Sequence, residues 1–548
     1  MRTALQALIV AAGLALAAPV AAQDLLLHGG PIYTGDAVVQ ALAVKDGKVA
    51  YVGGIGAARA AAPGARDIDL KGAAAYPGFV DSHAHLAGIG FREMTLNLEG
   101  TESIEALVAR LNAWAADNPG SDVISGAGWI ETHWPEKRFP SRADLDRAAP
   151  DRPVVLTRAD GHALVANTAM LKLAGITAQT AAPAGGQILK DAKGEPDGML
   201  IDNAMALVRA KVPPPSAAAQ AEAVRRGARV YASRGWTGLH DMSVGADEVA
   251  IQQDLAARGE LPVRIDNYMS QAAAQKVLAE GPSQDPTGLV RVRGVKLFMD
   301  GALGSRGAAL LAPYSDAEGT GLIVTPRETV DAILAKARKS GAQMAVHAIG
   351  DRGNRVILDA YQQAFADDPA ALKAARWRVE HAQIVAPEDL PRFAQMGVVA
   401  SMQPSHAIGD LYFAPARLGP ERLKGAYAWE SLLKSGAVVA GGSDAPVEKG
   451  DPLVEFYAAA YRHDLKGFAG PDWHLDEAVT RAQALEMLTR GSAYAGFRET
   501  ELGRLAVGRD ADISVFSVDL MSAPFADIAK AHAVMTIVGG KVVYQAAP

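Results

Sequence analysis

Residues 73–86 read AAAYPGFVDSHAHL, an apolar run that ends in two histidines, His83 and His85. Side chains at i and i+2 of an extended strand leave the same face, so both imidazoles reach one point at the strand's C-terminal end. An apolar strand has no packing reason to bury both rings unpaired. Neutral imidazole is the commonest metal ligand, and a pair aimed at one point is hard to explain by packing. The alternative is a solvated pair at a strand edge, and the rest of the chain decides between them.

Four later segments repeat the pattern of an apolar strand ending in a metal-competent residue. They are GVKLFMDG with Lys296, AQMAVHAIGD with His347, RWRVEHAQ with His381 and AVVAGGSDAP with Asp444. Each such residue sits at or near its strand end, before turn-forming Gly, Asp or Pro, which is how a (β/α)8 TIM-like barrel presents its active face. Helix-like stretches such as PRETVDAILAKARKS and PEDLPRFAQMG separate the strands, as βα repetition requires. The fold class expected is therefore α/β.

These motifs resemble the metal-dependent amidohydrolase superfamily, in particular the amidohydrolase 3 branch with YtcJ-like proteins and N-substituted formamide deformylases. The likeness runs in order through PGFVDSHAHL, RADGHALVANTAML, GEPDGMLIDNA, GVKLFMDGALGSR, AVHAIGDRGN, VEHAQIV, ASMQPSH, GGSDAPVE and LAVGRDADISVF. It spans nearly the whole chain after residue 22 and says little about the substrate.

The expected metal ligands are His83, His85, Lys296, His347, His381 and Asp444. Two divalent cations held by the four histidines need anionic ligands as well. Asp444 supplies one. A Lys296 ammonium would be repelled, but its neutral amine can add carbon dioxide to give an anionic carbamate, and the resemblance implies this carboxylated lysine as a bridge between the metals. The alternative is a plain ammonium paired with Asp300. Zinc is the first expectation, although His and carboxylate ligands also accept Mn, Co or Fe. The resemblance further implies a metal-activated hydroxide attacking an amide-like carbonyl. Asp444 is then the catalytic proton carrier, from the water to the leaving nitrogen. The expected activity is hydrolysis of a non-peptide C–N bond in an amide, formamide or cyclic amide. A mononuclear deaminase of the same superfamily and a catalytically silent binding protein on the same fold remain as alternatives.

Composition sets independent bounds. The 548 residues are 49% hydrophobic and 21% charged, as suits a soluble globular protein of more than one domain. A net charge of -7 offers no basic face for nucleic acid. With no Cys, a zinc site must use nitrogen and oxygen, and no disulfide forms. A small-molecule substrate is the expected partner, and a homo-oligomer stays open. Residues 1–22 carry Arg2, an Ala/Leu/Val run and small residues before Gln23, the pattern of a secretory signal cleaved after Ala22. The expectation is an exported, periplasmic protein with no membrane anchor.

Short strands broken by Gly and Asp-Gly turns fill residues 23–75 and 496–548, so both ends are expected to meet in a small β-sandwich beside a barrel over 76–495. The barrel carries surplus strand candidates, SDVISGAG and RPVVLTR among them, read as an inserted subdomain around 95–235 over the mouth. Substrate-binding candidates are His162 in RADGH, His240 in GLHDM, His406 in SMQPSH, Arg306 in GALGSRG and Trp129. His28 reads as a surface or turn residue, and His133, His463, His474 and His532 have no comparable context.

Overall fold

The computed structural model describes residues 23–547 apart from 121, 133, 471 and 472. The signal stretch with its cleavage point and His133 therefore lie outside the described residues. Eight parallel strands form the centre: β1 (Phe79–Ala84), β2 (Trp236–Val244), β3 (Arg264–Met269), β4 (Val290–Phe298), β5 (Gln343–Ala348), β6 (Arg378–His381), β7 (Val399–Met402) and β8 (Val439–Gly441). Each pairs with the next in chain order. Strands β1, β3, β5, β6, β7 and β8 are buried at every position, since helices cover the outer face and side chains fill the interior. The helix Arg327–Ser340 shows the covering pattern: it buries Val330, Ile333, Leu334 and Ala337 on one stripe and stops at Gly341, whose φ is 75°.

Closure of the barrel happens at the metal-competent segments themselves. A parallel bridge joins Ala84 to Ala445. Asp444 N donates to His83 O (2.7 Å) and His85 N to Ala445 O (2.8 Å). A Cβ at Gly442 would lie 2.6 Å from both Asp81 Oδ1 and His83 N, so only glycine lets the last strand come this close to the first. Asp81 clasps the seam, its Oδ1 accepting from His83 N (3.0 Å) and Ser443 N (2.9 Å).

Between the helix Leu86–Arg92 and the helix Ala217–Arg234 the chain builds a separate six-stranded sheet. Its strands carry apolar residues on both faces: Leu156, Val165 and Ile201 join one core cluster, and Val155, Leu164 and Leu200 another. SDVISGAG and RPVVLTR both contribute to this sheet, as Ile124–Trp129 and Val154–Arg158. The two chain ends meet in an eight-stranded sheet, where Val515 of Ile513–Phe516 pairs with Ala75 immediately before the barrel. Arg264 on β3 ties this sheet to the barrel through Asp512 (2.8 and 3.0 Å). Among the described residues no helix is long and apolar enough to cross a membrane.

Candidate metal centre

His83, His85, Lys296, His381, His406 and Asp444 converge at the C-terminal mouth of the barrel. His83 Nδ1 donates to Glu380 Oε2 (2.6 Å), and His85 Nδ1 donates to the Met242 carbonyl (2.9 Å). With the protons committed there, both Nε2 atoms keep a lone pair. Those lone pairs face Asp444 Oδ1, at 3.5 Å from His83 and 3.2 Å from His85. Asp444 Oδ1 is buried and has no hydrogen-bond partner. Three acceptors facing one another repel unless a cation lies between them. Ligand bonds of about 2.0–2.2 Å place two tetrahedral ligand atoms about 3.3–3.6 Å apart, so the spacings fit a divalent ion held by His83, His85 and Asp444.

The electrostatics agree. Burial, reinforced by Lys296, pushes His83 well below the ordinary histidine value. Burial does the same to His347, helped by His162, and to His381, helped by His347. All three are therefore neutral and able to ligate. Burial raises the Asp444 carboxyl, and only positive charge placed at His83, His85 and His406 outweighs it, the charge a cation there would supply when those rings are neutral. Asp444 (φ 56°) and His381 (φ 73°) both adopt left-handed backbone conformations that non-glycine residues enter at a cost, so the fold strains two of its own site residues.

Lys296 reaches the same point from β4, its Nζ 3.0 Å from His83 Nε2. Burial pulls its ammonium down to about 8. The pairing with Asp300 considered from sequence is not made. The Asp300 carboxylate instead accepts backbone N–H groups from Ile349 (2.9 Å), Gly350 (2.8 Å) and Ala309 (2.8 Å), organising the loops after β4 and β5.

The His381 ring lies 4.7 Å from that of His83 and 4.5 Å from that of His347. His381 Nδ1 donates to Gln403 Oε1 (2.8 Å), which leaves its Nε2 free. His347 Nε2 is turned toward Gly301 O (3.4 Å) and Asp300 Oδ1 (3.5 Å). The inserted sheet also reaches the site. His162, with its Nδ1 donating to Asp202 Oδ1 (2.7 Å), sets its ring 4.9 Å from that of His347.

Three substrate-binding candidates are corrected. Trp129 is fully buried in the core of the inserted sheet, its indole N–H donating to Leu156 O (3.0 Å). His240 lies inside the barrel below the mouth, with Nδ1 accepting from Arg378 Nη1 (2.7 Å), and burial pulls it down to about 3. Arg306 is committed to Asp316 (2.9 Å) at the surface.

Sequence reasoning missed Glu380 and Arg378, which orient His83 from behind. Arg378 Nε donates to Glu380 Oε1 (2.7 Å), Nη1 to His240 and Tyr268 OH (3.1 Å), and Nη2 to Ser82 O (2.6 Å), Ser401 Oγ (2.8 Å) and Glu380 Oε2 (3.0 Å). Their i, i+2 spacing on the strand that ends in His381 was the available signal, since it sends both inward.

A model of the amidohydrolase family matches residues 66–544, and the chain belongs to that family. YtcJ of Bacillus subtilis (strain 168) is 35% identical over 94% of this chain and 99% of its own length. N-substituted formamide deformylase of Arthrobacter pascens is 27% identical over 95% of this chain and 98% of its own. Among solved structures, an uncharacterized metal-dependent hydrolase from Pyrococcus horikoshii OT3 superposes with a TM-score of 0.74 at 28% identity, covering 92% of this chain and 99% of that one.

Proposed function

We propose that this protein is a metal-dependent hydrolase of a non-peptide C–N bond, with an amide, formamide or cyclic amide as substrate. The observation that carries this is the convergence of His83 Nε2, His85 Nε2 and Asp444 Oδ1 at 3.2–3.5 Å, a spacing that suits three ligands of one ion. Divalent cations bound there, zinc by first preference, supply a Lewis acid and lower the pKa of water. His83, His85 and Asp444 hold one position, and His381 with His347 flanks a second.

Lys296, carboxylated, would supply an anionic ligand to metal held there. Its neutral amine adds carbon dioxide, forming an N–C bond and releasing one proton. Asp444 accepts the proton of the attacking water as the tetrahedral centre forms and delivers it to the departing nitrogen. Glu380, fixed by Arg378, keeps His83 in the tautomer whose Nε2 can ligate. His162, held by Asp202, faces the substrate from the inserted sheet. Export to the periplasm after cleavage at Ala22 belongs to the same proposal, and N-terminal sequencing of the secreted fraction checks it.

Metal-loaded protein should release amine or acid from members of N-formyl, N-acyl and cyclic amide libraries, and chelation should abolish this. A metal-replete preparation inert toward all three libraries would count against the proposal.

A further inference from the structure

His406 follows β7 in the first turn of the helix Pro404–Asp410 and is only 8% exposed. Its Nε2 has no hydrogen-bond partner. Buried ring nitrogens ordinarily find one, so the orphan needs a reason. It lies 3.7 Å from Asp444 Oδ2, and the ligand atoms of His381, His406 and Asp444 all fall within 4.8 Å of one another. The rings of His381 and His406 are stacked, 5.8 Å apart.

We infer that His406 is a metal ligand, joining His381 and Asp444 at the second cation position, the one that His381 and His347 flank, beside the one at His83, His85 and Asp444. The inference rests on reading the mouth as a metal centre, and adds a ligand to it. Asp444 divides its oxygens between the positions: Oδ1 faces His83 and His85, and Oδ2 faces His406 Nε2, while the His381 nitrogen nearest Oδ2, at 4.0 Å, is the Nδ1 that also bonds Gln403. The surrounding bonds hold the segment in place. Gln403 accepts from His381 Nδ1, the amide of Ser405 donates to buried Glu455 (2.9 Å), and His406 N donates back to Gln403 O (3.2 Å). One short stretch therefore orients His381 and presents His406 beside it. A spacing of 3.7 Å lies just above the roughly 3.3–3.6 Å of two ligands on one tetrahedral ion.

The test titrates metal-free protein with zinc against a chelator of known affinity and counts bound metal by elemental analysis. Wild type should take up about two ions per chain. His406→Ala should keep the first at wild-type affinity and hold the second at least about 10–100-fold more weakly, a loss that even residues behind a ligand cause. In metal-free protein the variant should lose only the packing of the ring, since Nε2 has no bond to lose, and beyond that loss part of the zinc-induced rise in Tm should disappear. His406→Gln, of similar bulk, should read the same way and serves if the alanine variant does not fold. Two ions at wild-type affinity in these variants would overturn the inference, and lost turnover with unchanged zinc binding would instead give His406 to the substrate. Wild type that binds no zinc would overturn the metal reading itself, and this ligand with it.

Discussion

Arg378, deep in the barrel, has every guanidinium donor engaged, whereas Asp444 Oδ1 and His406 Nε2 at the mouth have no partner. Both layers are buried and polar, and they sit on the same eight strands. The lower layer is complete without any guest: Arg378, Glu380, His240 and Tyr268 satisfy one another, and Asp266 is ringed by Arg498 and Arg291, each at 3.1 Å. The mouth leaves two buried acceptor atoms, Asp444 Oδ1 and His406 Nε2, without partners. Groups left unsatisfied in a low-dielectric setting are costly, so the unfinished layer is the one built for chemistry.

The sharpest way to break this contrast is at Asp444. Asp444→Asn should lower turnover by about 10²–10⁴-fold, because an amide cannot accept the proton. Most metal should stay, so metal content and turnover are measured on one preparation, and near-wild-type turnover with metal retained would remove Asp444 from its role. Lys296→Ala should lose a metal and most activity, with partial recovery of both in millimolar short carboxylic acids. A high-resolution density map of metal-loaded protein showing an unmodified Lys296 would exclude the carbamate.

In the lower layer the effect should fall on stability. Arg378→Leu strands Glu380 and should cost about 3–5 kcal/mol, read by denaturant unfolding of metal-free protein. His406→Ala in the same assay should cost far less, and equal losses would erase the distinction between layers. A gentler probe is pH. Burial raises the Asp266 carboxyl, but Arg498 and Arg291 outweigh it and hold it below the ordinary carboxylate range. A depressed folded value means the stabilisation is fully present above the unfolded value of about 3.9 and is lost as pH falls through the folded one. Asp266→Asn should therefore flatten the acid limb of the stability curve. Smallest of all, Arg306→Ala should change stability by no more than about 1 kcal/mol, since its pair with Asp316 is partly exposed.

The contrast also marks what could be read from sequence. Strand periodicity made the His83 and His85 pair legible, and turn residues after Lys296, His347, His381 and Asp444 marked the mouth of the barrel. Trp129 and His240 misled because a polar or aromatic residue near a strand end carries no sign of which sheet, or which level of the barrel, it occupies. The inserted sheet hid its register because both faces are apolar, which removes the alternation that reveals a half-buried strand. His406 looked like a loop residue. Its helix begins directly after β7, and only the packing of Gln403 against His381 brings it into line.

Closure of the barrel through His83, His85, Asp444 and Ala445 has a consequence for the order of folding. The two halves of the proposed first cation position are separated by most of the barrel's sequence, so the loop that must close is long and its contacts are slow to form. A chain that has not yet joined β8 to β1 holds a pair of histidines without the carboxylate. High-affinity zinc capture during refolding should thus lag behind the gain of secondary structure and coincide with the final docking step, making the ion a clock for barrel completion.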